Sequence, residues 1–305
     1  MDKFAALQAL QAVIETGSFQ AASSRLGVAK SVVSRRISLL EEQLSTRLLH
    51  RTTRSLSLTD EGHRFYQRSL QILADLEDAE MELSLESSEV RGKLKLAAPL
   101  SFGISYLSNA INDFLLMHPA IELEMDLNDR TINLVEEGFD MAVRIGELED
   151  SSLVARRIGT MRSLTCASEA YIKSHGKPQH PDDLKHHVGL QYSNISYRQQ
   201  WLYEEPGGQQ LSAQPQIRIR ANNGEALAQA AIHGLGIVKG PSFILSNYVR
   251  DGSLLRLLDD YQHTHVGIYA IYPPGRLLPH RVRVFTDFLA DQFGDSPQWD
   301  SQVFF

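Results

Sequence analysis

"SFQAASSRLGVAKSVVSRRISLLEEQL", residues 18–44, is the stretch on which the reading of this chain turns. Ser18 stands at an N-cap position ahead of Phe19, Ala21, Ala22 and Leu26. Gly27 stops that short helix where a tight turn needs a residue without a Cβ. A further helix begins almost at once and runs from about Lys30 to Leu44. Its apolar residues Val33, Ile37, Leu40 and Leu44 recur at intervals of 4, 3 and 4, leaving Lys30, Ser31, Ser34, Arg35 and Ser38 off the apolar face. Upstream, Phe4, Leu7, Leu10, Val13 and Ile14 mark a first helix that ends at Thr16-Gly17. Helix, Gly-containing turn and helix make a helix-turn-helix, whose second helix docks its N-terminal end into a DNA major groove.

Charge supports that reading. Residues 1–60 hold Lys3, Arg25, Lys30, Arg35, Arg36, Arg47, Arg51 and Arg54 against Asp2, Glu15, Glu41, Glu42 and Asp60, a balance of +3 in a chain of net charge −7. Positive charge confined to one end of an acidic chain points to a polyanion-binding module, because Lys and Arg gain affinity for phosphates by releasing condensed counterions. The segment "TRLLHRTTRSLSLTDEGHRFY", residues 46–66, adds a wing: a basic turn, Arg51-Thr52-Thr53-Arg54, a short alternating strand through Leu56 and Leu58, and a helix opened by Thr59-Asp60-Glu61. Arginines on such a turn suit a flanking minor groove or its phosphates.

Composition bounds the rest. A chain of 305 residues at 43% hydrophobic can bury a sizeable core and suggests two folded units. The first apolar run is broken by charge and no run nears the ~20 residues that span a bilayer, so a cytoplasmic location without membrane attachment is the expectation. Cys166 is the single cysteine, which excludes an intrachain disulfide framework and a multi-cysteine zinc site and suits a small apolar position in a strand.

Residues 15–62, "ETGSFQAASSRLGVAKSVVSRRISLLEEQLSTRLLHRTTRSLSLTDEG", resemble the N-terminal signature of the LysR-type transcriptional regulators. Ser45 stands where that family usually has Gly, and Lys30 where a smaller or neutral residue is common. The resemblance implies that Ser18, Ala29, Lys30, Ser31, Ser34 and Arg35 meet DNA, with Arg51 and Arg54 on the wing; a solvated or salt-bridged side chain is the rival reading for each. It extends more weakly through "APLSFG", "FDMAVRIGELEDSSLVARRIG", "LTCASEAYIKSHGKPQHPDDL" and "GLGIV".

Residues 61–88 read as a long helix in which Phe65, Ser69, Ile72, Leu76, Ala79 and Leu83 form a heptad seam, with acidic residues around it. Phe65, Ile72, Leu76, Ala79 and Leu83 are the expected dimerisation residues, which would set two reading helices against two half-sites. After Ser87-Ser88-Glu89 strands and helices alternate: "GKLKLAAP", "IELEMDLN" and "DMAVRIG" as strands, "SYLSNAINDFLLMHP" as a helix, and a return through "VGIYAIYPP" and "HRVRVFTDFLADQF". The expected fold class is α plus α/β. It comprises an N-terminal winged helix-turn-helix (1–60), a long linker helix (61–88), and a two-lobed α/β domain (89–305; lobe I about 89–162 and 268–305, lobe II about 163–267). The resemblance implies that this last domain is like a periplasmic binding protein and holds a small ligand in its cleft.

Such a cleft takes polar groups from strand ends and helix starts, which favour an anion. Ser101 and Phe102 follow the first strand; Asn222 and Asn223 precede "EALAQAAIHG"; Asn128, Arg144, Ile145 and Gly146 sit at strand ends. Ser101, by resemblance, matches a position that contacts an effector carboxylate; as local structure, Ser101 and Asn222 are helix caps. Arg144 pairs with an anionic ligand or with a neighbouring carboxylate. "GLGIVKG" has the wrong order for a phosphate loop, since it follows a helix and enters a strand, and its Lys239 and Gly240 depart from the apolar residues usual in the family. His186-His187 and the His263/His265 pair lack a third ligand, and Ser242 lacks a base.

The expectation is therefore a regulator and no enzyme, with no cofactor or metal, binding an inverted-repeat operator in double-stranded DNA as a homo-oligomer and answering to a small, anionic effector. By resemblance the oligomer is a homotetramer that affects transcription through RNA polymerase. The alternative is a ligand-independent repressor or architectural protein whose α/β domain serves only assembly.

Overall fold

The computed structural model describes residues 2–51, 56–83, 89–146, 153–194, 200–205, 207–261, 265–273, 278–294 and 297–300. These fall into two compact units, one of residues 1–89 with 133–138 and one of residues 90–132 with 139–305.

In the first unit, α1 (Lys3–Thr16) and α2 (Phe19–Leu26) are separated by Gly17 at φ 72° and by Ser18, whose Oγ accepts the Ala21 N–H at 3.1 Å. Gly27, at φ 65°, turns the chain into α3 (Lys30–Leu44). The three helices bury Leu7, Leu10, Val13, Val33, Ile37 and Leu40 in one core, together with Leu48 and Leu49 from the wing. Leu44 departs from the sequence expectation: it is exposed, because α3 ends there and Ser45 reverses the chain at φ 50°. The wing strands β1 (Leu49–Arg51) and β2 (Leu56–Leu58) pair antiparallel. The Glu41 carboxylate accepts the Leu48 and Leu49 N–H groups at 3.0 and 3.2 Å, fixing β1 to α3. Helix α4 (Asp60–Leu83) is capped by Thr59, whose Oγ1 accepts the Gly62 N–H at 2.9 Å. A Cβ at Gly62 would lie 2.0 Å from the Leu48 carbonyl oxygen, so only glycine lets α4 approach the wing this closely.

The second unit opens with β3 (Gly92–Ala98), then α5 (Leu100–Phe102), a π-helical turn (Gly103–Leu107) and α6 (Ser108–Met117) in one continuous helical run. The π turn lets the Gly103 backbone pack on Leu127, whose Cδ2 would be 2.3 Å from a Cβ at residue 103. Next come β4 (Ile121–Leu127), the short α7 (Leu134–Glu137, counted with the first unit) and β5 (Met141–Ile145). The long β6 (Val154–Ala167) leads to α8 (Glu169–His175), a 3-10 helix (Pro181–His186), β7 (Val188–Tyr192), and the hairpin of β8 (Trp201–Glu204) and β9 (Gln210–Ala213). Then follow β10 (Gln216–Ala221), α9 (Gly224–Ile232), β11 (Ile237–Pro241), α10 (Ser242–Arg250), β12 (Leu255–Leu257), β13 (His265–Tyr272) and α11 (His280–Phe293).

Two lobes emerge from one nine-stranded sheet ordered β10-β7-β11-β6-β13-β5-β3-β4, with β12 also on β6. β6 joins them: its first part pairs with β13 as far as Arg162, and from Ser163 onward it pairs with β11 and then β12. Parallel β4, β3 and β5 on one side, and parallel β10, β7 and β11 on the other, aim their carboxyl ends at the same cleft.

Candidate DNA-reading helix and interlobe cleft

α3 presents its first turns to solvent because its buried residues, Val33, Ile37 and Leu40, begin at the fourth position and lie on the opposite face. Ala29 is its N-cap residue, without a side-chain cap bond. Lys30, Ser31 and Arg35 are exposed and Ser34 is half-buried, and none of these side chains makes a hydrogen bond or ion pair with another described residue. Ser18 is exposed and occupied as the α2 cap. Arg25, in the last turn of α2, pairs instead with Glu15. Arg51 lies on β1 with its side chain outside the described residues, and Arg54 lies outside them altogether.

α4 divides its apolar residues between two faces. Tyr66, Ser69 and Leu73 are buried against their own unit, and the Ser69 Oγ donates to the Tyr66 carbonyl at 2.8 Å. Ser69 therefore drops out of the heptad seam. Ile72 remains 47% exposed and Leu76 is half-buried, while Phe65, half-buried, packs against the core of its own unit. Ala79 and Leu83 continue α4, but their side chains lie outside the described residues, as do residues 84–88.

In the cleft, Asn128 ends β4: its N–H donates to the Ala98 carbonyl at 3.0 Å, and its side-chain oxygen accepts the Arg130 N–H at 3.1 Å. That turn aims the next residue, Asp129, at the start of the helical run, where its carboxylate accepts the Leu100 N–H at 3.2 Å. The Tyr192 hydroxyl at the end of β7 and the Arg144 guanidinium both act on this carboxylate in favour of its ionised form. Arg144 Nη1 also donates to the Arg130 carbonyl at 3.3 Å. Burial pushes the Asp129 carboxyl above the usual aspartate value despite these donors, and pushes the Tyr192 hydroxyl up to about 12, with the Asp129 charge adding to it. Asn194 Nδ2 donates to the Asp129 carbonyl at 2.8 Å, so the second lobe holds the backbone of this residue.

Among the cleft residues expected from sequence, this arrangement gathers Asn128 and Arg144 around Asp129, with Ser101, half-buried, next to Leu100. Among the described residues the Arg144 guanidinium forms no ion pair, and its hydrogen bond goes to a backbone carbonyl, that of Arg130. Ile145 is half-buried against the core, and Gly146, at φ 143°, donates its N–H to the Gly267 carbonyl at 3.2 Å. Asn223 caps α9 through the Ala226 N–H at 3.0 Å, and Asn222 is exposed at the end of β10. Phe102 is corrected: its ring is fully buried against Tyr106, Phe243, Phe293 and Trp299, so it belongs to the core and offers no open surface to a ligand. Asp129, Tyr192 and Asn194 were missed by sequence reasoning; the only local sign was that Asp129 adjoins Asn128 at a strand end.

The remaining motifs have structural explanations. Ser242 is buried and its Oγ accepts the Arg162 N–H at 3.2 Å. His187 is buried against the Tyr171 hydroxyl at 3.3 Å. Cys166 is fully buried in β6, and desolvation pushes its thiol up, away from the reactive thiolate. No group of three or more His, Cys, Asp or Glu side chains suited to a metal occurs among the described residues. Among the same residues, no helix is long and apolar enough to cross a membrane.

A winged helix-turn-helix carried in one chain with a two-lobed α/β domain defines a transcriptional regulator, and comparison with known proteins places it more narrowly. Residues 4–63 match the bacterial regulatory helix-turn-helix protein, lysR family, and residues 87–294 match the LysR substrate binding domain. This chain belongs to the LysR family of transcriptional regulators. It is 38% identical over 286 residues to an uncharacterized HTH-type transcriptional regulator of Haemophilus influenzae, covering 92% of this chain and 98% of that protein. It is 33% identical to the solved CrgA of Neisseria meningitidis, a LysR-type transcriptional regulator, with a TM-score of 0.59 over 95% of this chain and 98% of that one. The full-length structure of the Vibrio cholerae virulence activator AphB is similar at 30% identity and a TM-score of 0.57, covering 94% and 98% of the two chains.

Proposed function

We propose that this regulator binds an inverted-repeat operator as a homo-oligomer and that a small anionic effector in the interlobe cleft changes how the bound subunits are arranged. The observation that carries the DNA half is the start of α3, where Lys30, Ser31 and Arg35 are exposed without partners among the described residues. Side chains so placed keep their hydrogen-bonding capacity for base edges and phosphates, with Ser18, Ala29 and Ser34 around them. Arg51 and Arg54 are assigned to the flanking backbone or minor groove. Phe65, Ile72 and Leu76, with Ala79 and Leu83 beyond them, form the seam by which two α4 helices pair, supported by the exposure of Ile72 opposite the face that packs on its own unit. A homotetramer, and contact with RNA polymerase, extend this reading by family likeness.

For the effector half, Ser101, Asn128, Arg144, Ile145, Gly146, Asn222 and Asn223 mark the strand ends and helix starts around the cleft. The support is the meeting at Asp129 of a backbone amide of the first lobe, from Leu100, and a side-chain amide of the second, from Asn194. Coupling needs only that the ligand bind one arrangement of the subunits more tightly than another. The test is recovery of genomic DNA fragments by the purified protein at roughly 150 mM salt, where weak non-specific binding is suppressed. Enrichment of a two-fold-symmetric site is expected; diffuse recovery would sink the operator reading.

A further inference from the structure

Residues 297–300 lie past the 87–294 span that matches the LysR substrate binding domain, yet three of the four, Pro297, Trp299 and Asp300, are buried. The Trp299 ring is wedged between the two lobes. Its centre lies 4.7 Å from that of Tyr106 and 5.6 Å from that of Phe102, both in the helical run of the first lobe. It also lies 5.7 Å from the Phe293 ring on α11 and 6.4 Å from the Phe243 ring on α10 of the second lobe. The Trp299 carbonyl accepts the Ser246 hydroxyl of α10 at 3.0 Å. Next in the chain, the Asp300 carboxylate pairs with the Arg162 guanidinium at 3.5 Å. Arg162 is the last β6 residue paired with β13, and β11 takes over at Ser163, so Asp300 is fastened where β6 passes from one lobe to the other. We propose that residues 297–300 are a strap across the hinge, with Trp299 as the wedge that fixes the angle between the lobes and Asp300 as its anchor.

Lobes joined through a shared strand rock about it unless contacts beside that strand oppose the bending. Trp299 supplies such contacts. To tilt α10 away from the helical run of the first lobe, the indole must leave either Tyr106 and Phe102 or Phe243 and Ser246, and aromatic surface is then exposed to water. Two direct contacts between the lobes lie beside it. The Phe102 and Phe243 rings meet edge to face at 5.4 Å, and the Tyr106 hydroxyl donates to the Phe243 carbonyl at 3.4 Å, which is long for a hydroxyl donor. The seating of the strap is also opposed from within. The Trp299 indole N–H is buried without an acceptor among the described residues, and the Asp300 carboxylate is only 4% exposed beside a guanidinium that keeps contact with solvent. An unanswered donor and a desolvated carboxylate bring the seated and released arrangements closer in energy than the ring contacts alone would. A binding event that changes the lobe angle can therefore move the strap, and one that needs the angle kept is helped by it. The device acts on the hinge itself and stands whether or not the cleft takes an anion.

The test measures the spread of lobe angles in the full chain. Asn112→Cys on α6 and Lys185→Cys in the 3-10 helix place one exposed labelling site in each lobe, while Cys166 is buried and stays unlabelled. Spin labels on this pair, in chains co-expressed with an excess of unsubstituted chain so that distances within one chain are read, give the distribution of distances between the lobes. Asp300→Asn removes the charge of the anchor and is expected to widen that distribution by about 2 Å or more. Trp299→Phe keeps an aromatic ring but shortens the wedge; it is expected to do the same and serves if the Asp300 variant folds poorly. A second pair inside the first lobe, Asn112→Cys with Val154→Cys, should stay within about 1 Å of its parent width in both variants. An interlobe distribution that keeps its parent width in the folded variants would overturn the proposal, since residues 297–300 would then constrain nothing. A widening that appears equally within the first lobe would overturn it too, because the loss would be one of packing and not of hinge control.

Discussion

The first turns of α3 and the Asp129 cluster are the two places where polar side chains gather at a prospective binding surface, and they are built in opposite ways. On α3, Lys30, Ser31 and Arg35 stand in solvent without internal partners among the described residues. In the cleft, Asp129 is already engaged inside the fold, its carboxylate by the Leu100 N–H and its carbonyl by the Asn194 amide, and Arg144 is held by the Arg130 carbonyl. A surface of the first kind meets a phosphate or base by giving up water alone. A surface of the second kind must exchange an internal bond for an external one, and that exchange is what allows binding to be felt elsewhere in the fold. The first suits a permanent activity and the second a conditional one.

The contrast is most exposed to disproof at Phe102, which the sequence places at the cleft and the structure places in the core. Truncation to alanine would remove the ring that joins Tyr106, Phe243, Phe293 and Trp299. Phe102→Ala is expected to destabilise the second unit by about 3–5 kcal/mol in urea unfolding. A loss below about 1 kcal/mol would return Phe102 to the cleft, since surface substitutions fall in that range.

Arg35 tests the other side of the comparison. Arg35→Ala is expected to weaken operator binding by about 10- to 100-fold, measured by fluorescence anisotropy, because one base or phosphate contact is lost. Its Tm should stay within about 1 °C of the parent, since Arg35 contributes nothing to the packing of α3. Equal losses of stability and affinity would show that Arg35 is a structural residue after all.

Lys239 sharpens the comparison by showing what an internally satisfied cation costs. It lies on β11, donates to the Leu202 carbonyl, and sits 4.3 Å from the centre of the Tyr203 ring, which in turn contacts Thr165. Desolvation lowers its pKa to about 7. The unfolded chain, titrating near 10.4, then binds more protons than the folded one from about pH 7 to 10, so stability rises with pH across that window. Below about pH 7 both states are charged and the full cost of desolvating the half-buried Lys239 ammonium is present. Lys239→Met should therefore raise Tm at pH 6.5 and do so much less at pH 9. A gain independent of pH would mean that the change acts through packing and not through charge.

Legibility followed the range of the interactions. The helices of the first unit were readable because their determinants are local: Ser18 caps a residue three positions on, Gly17 and Gly27 mark turns, and the Val33–Ile37–Leu40 spacing defines one face. The strand and helix alternation of the second unit was readable for the same reason. The Asp129 cluster was not, because the bond from Asn194 to Asp129 joins residues 65 apart that meet only once β7 lies across the sheet from β4. The π-helical turn was hidden as well, since it exists to let Gly103 pack on Leu127. Phe102 was misplaced because residues next to a strand end point alternately to core and cleft, and hydrophobicity alone does not say which. Ser69 was misassigned because helical spacing cannot tell the face that packs on its own unit from the face left over.

The smallest expected effect lies at the far end of the reading helix. Ser45 is one of two described non-glycine residues with positive φ, and its N–H closes α3 on the Glu41 and Glu42 carbonyls. An L-residue with a Cβ is strained in the left-handed region, whereas glycine occupies it freely at the cost of more entropy in the unfolded chain. Ser45→Gly should accordingly stabilise the first unit by about 0.5–1 kcal/mol in denaturant unfolding. Ser45 lies at the opposite end of α3 from Lys30 and Ser31, and the buried residues Val33, Ile37 and Leu40 fix the helix between them. Operator affinity should therefore stay within about twofold. A larger change would mean that strain at the C-terminal end is transmitted through α3 to the end that reads DNA, and that the reading surface is less independent of the fold than its unpartnered side chains imply.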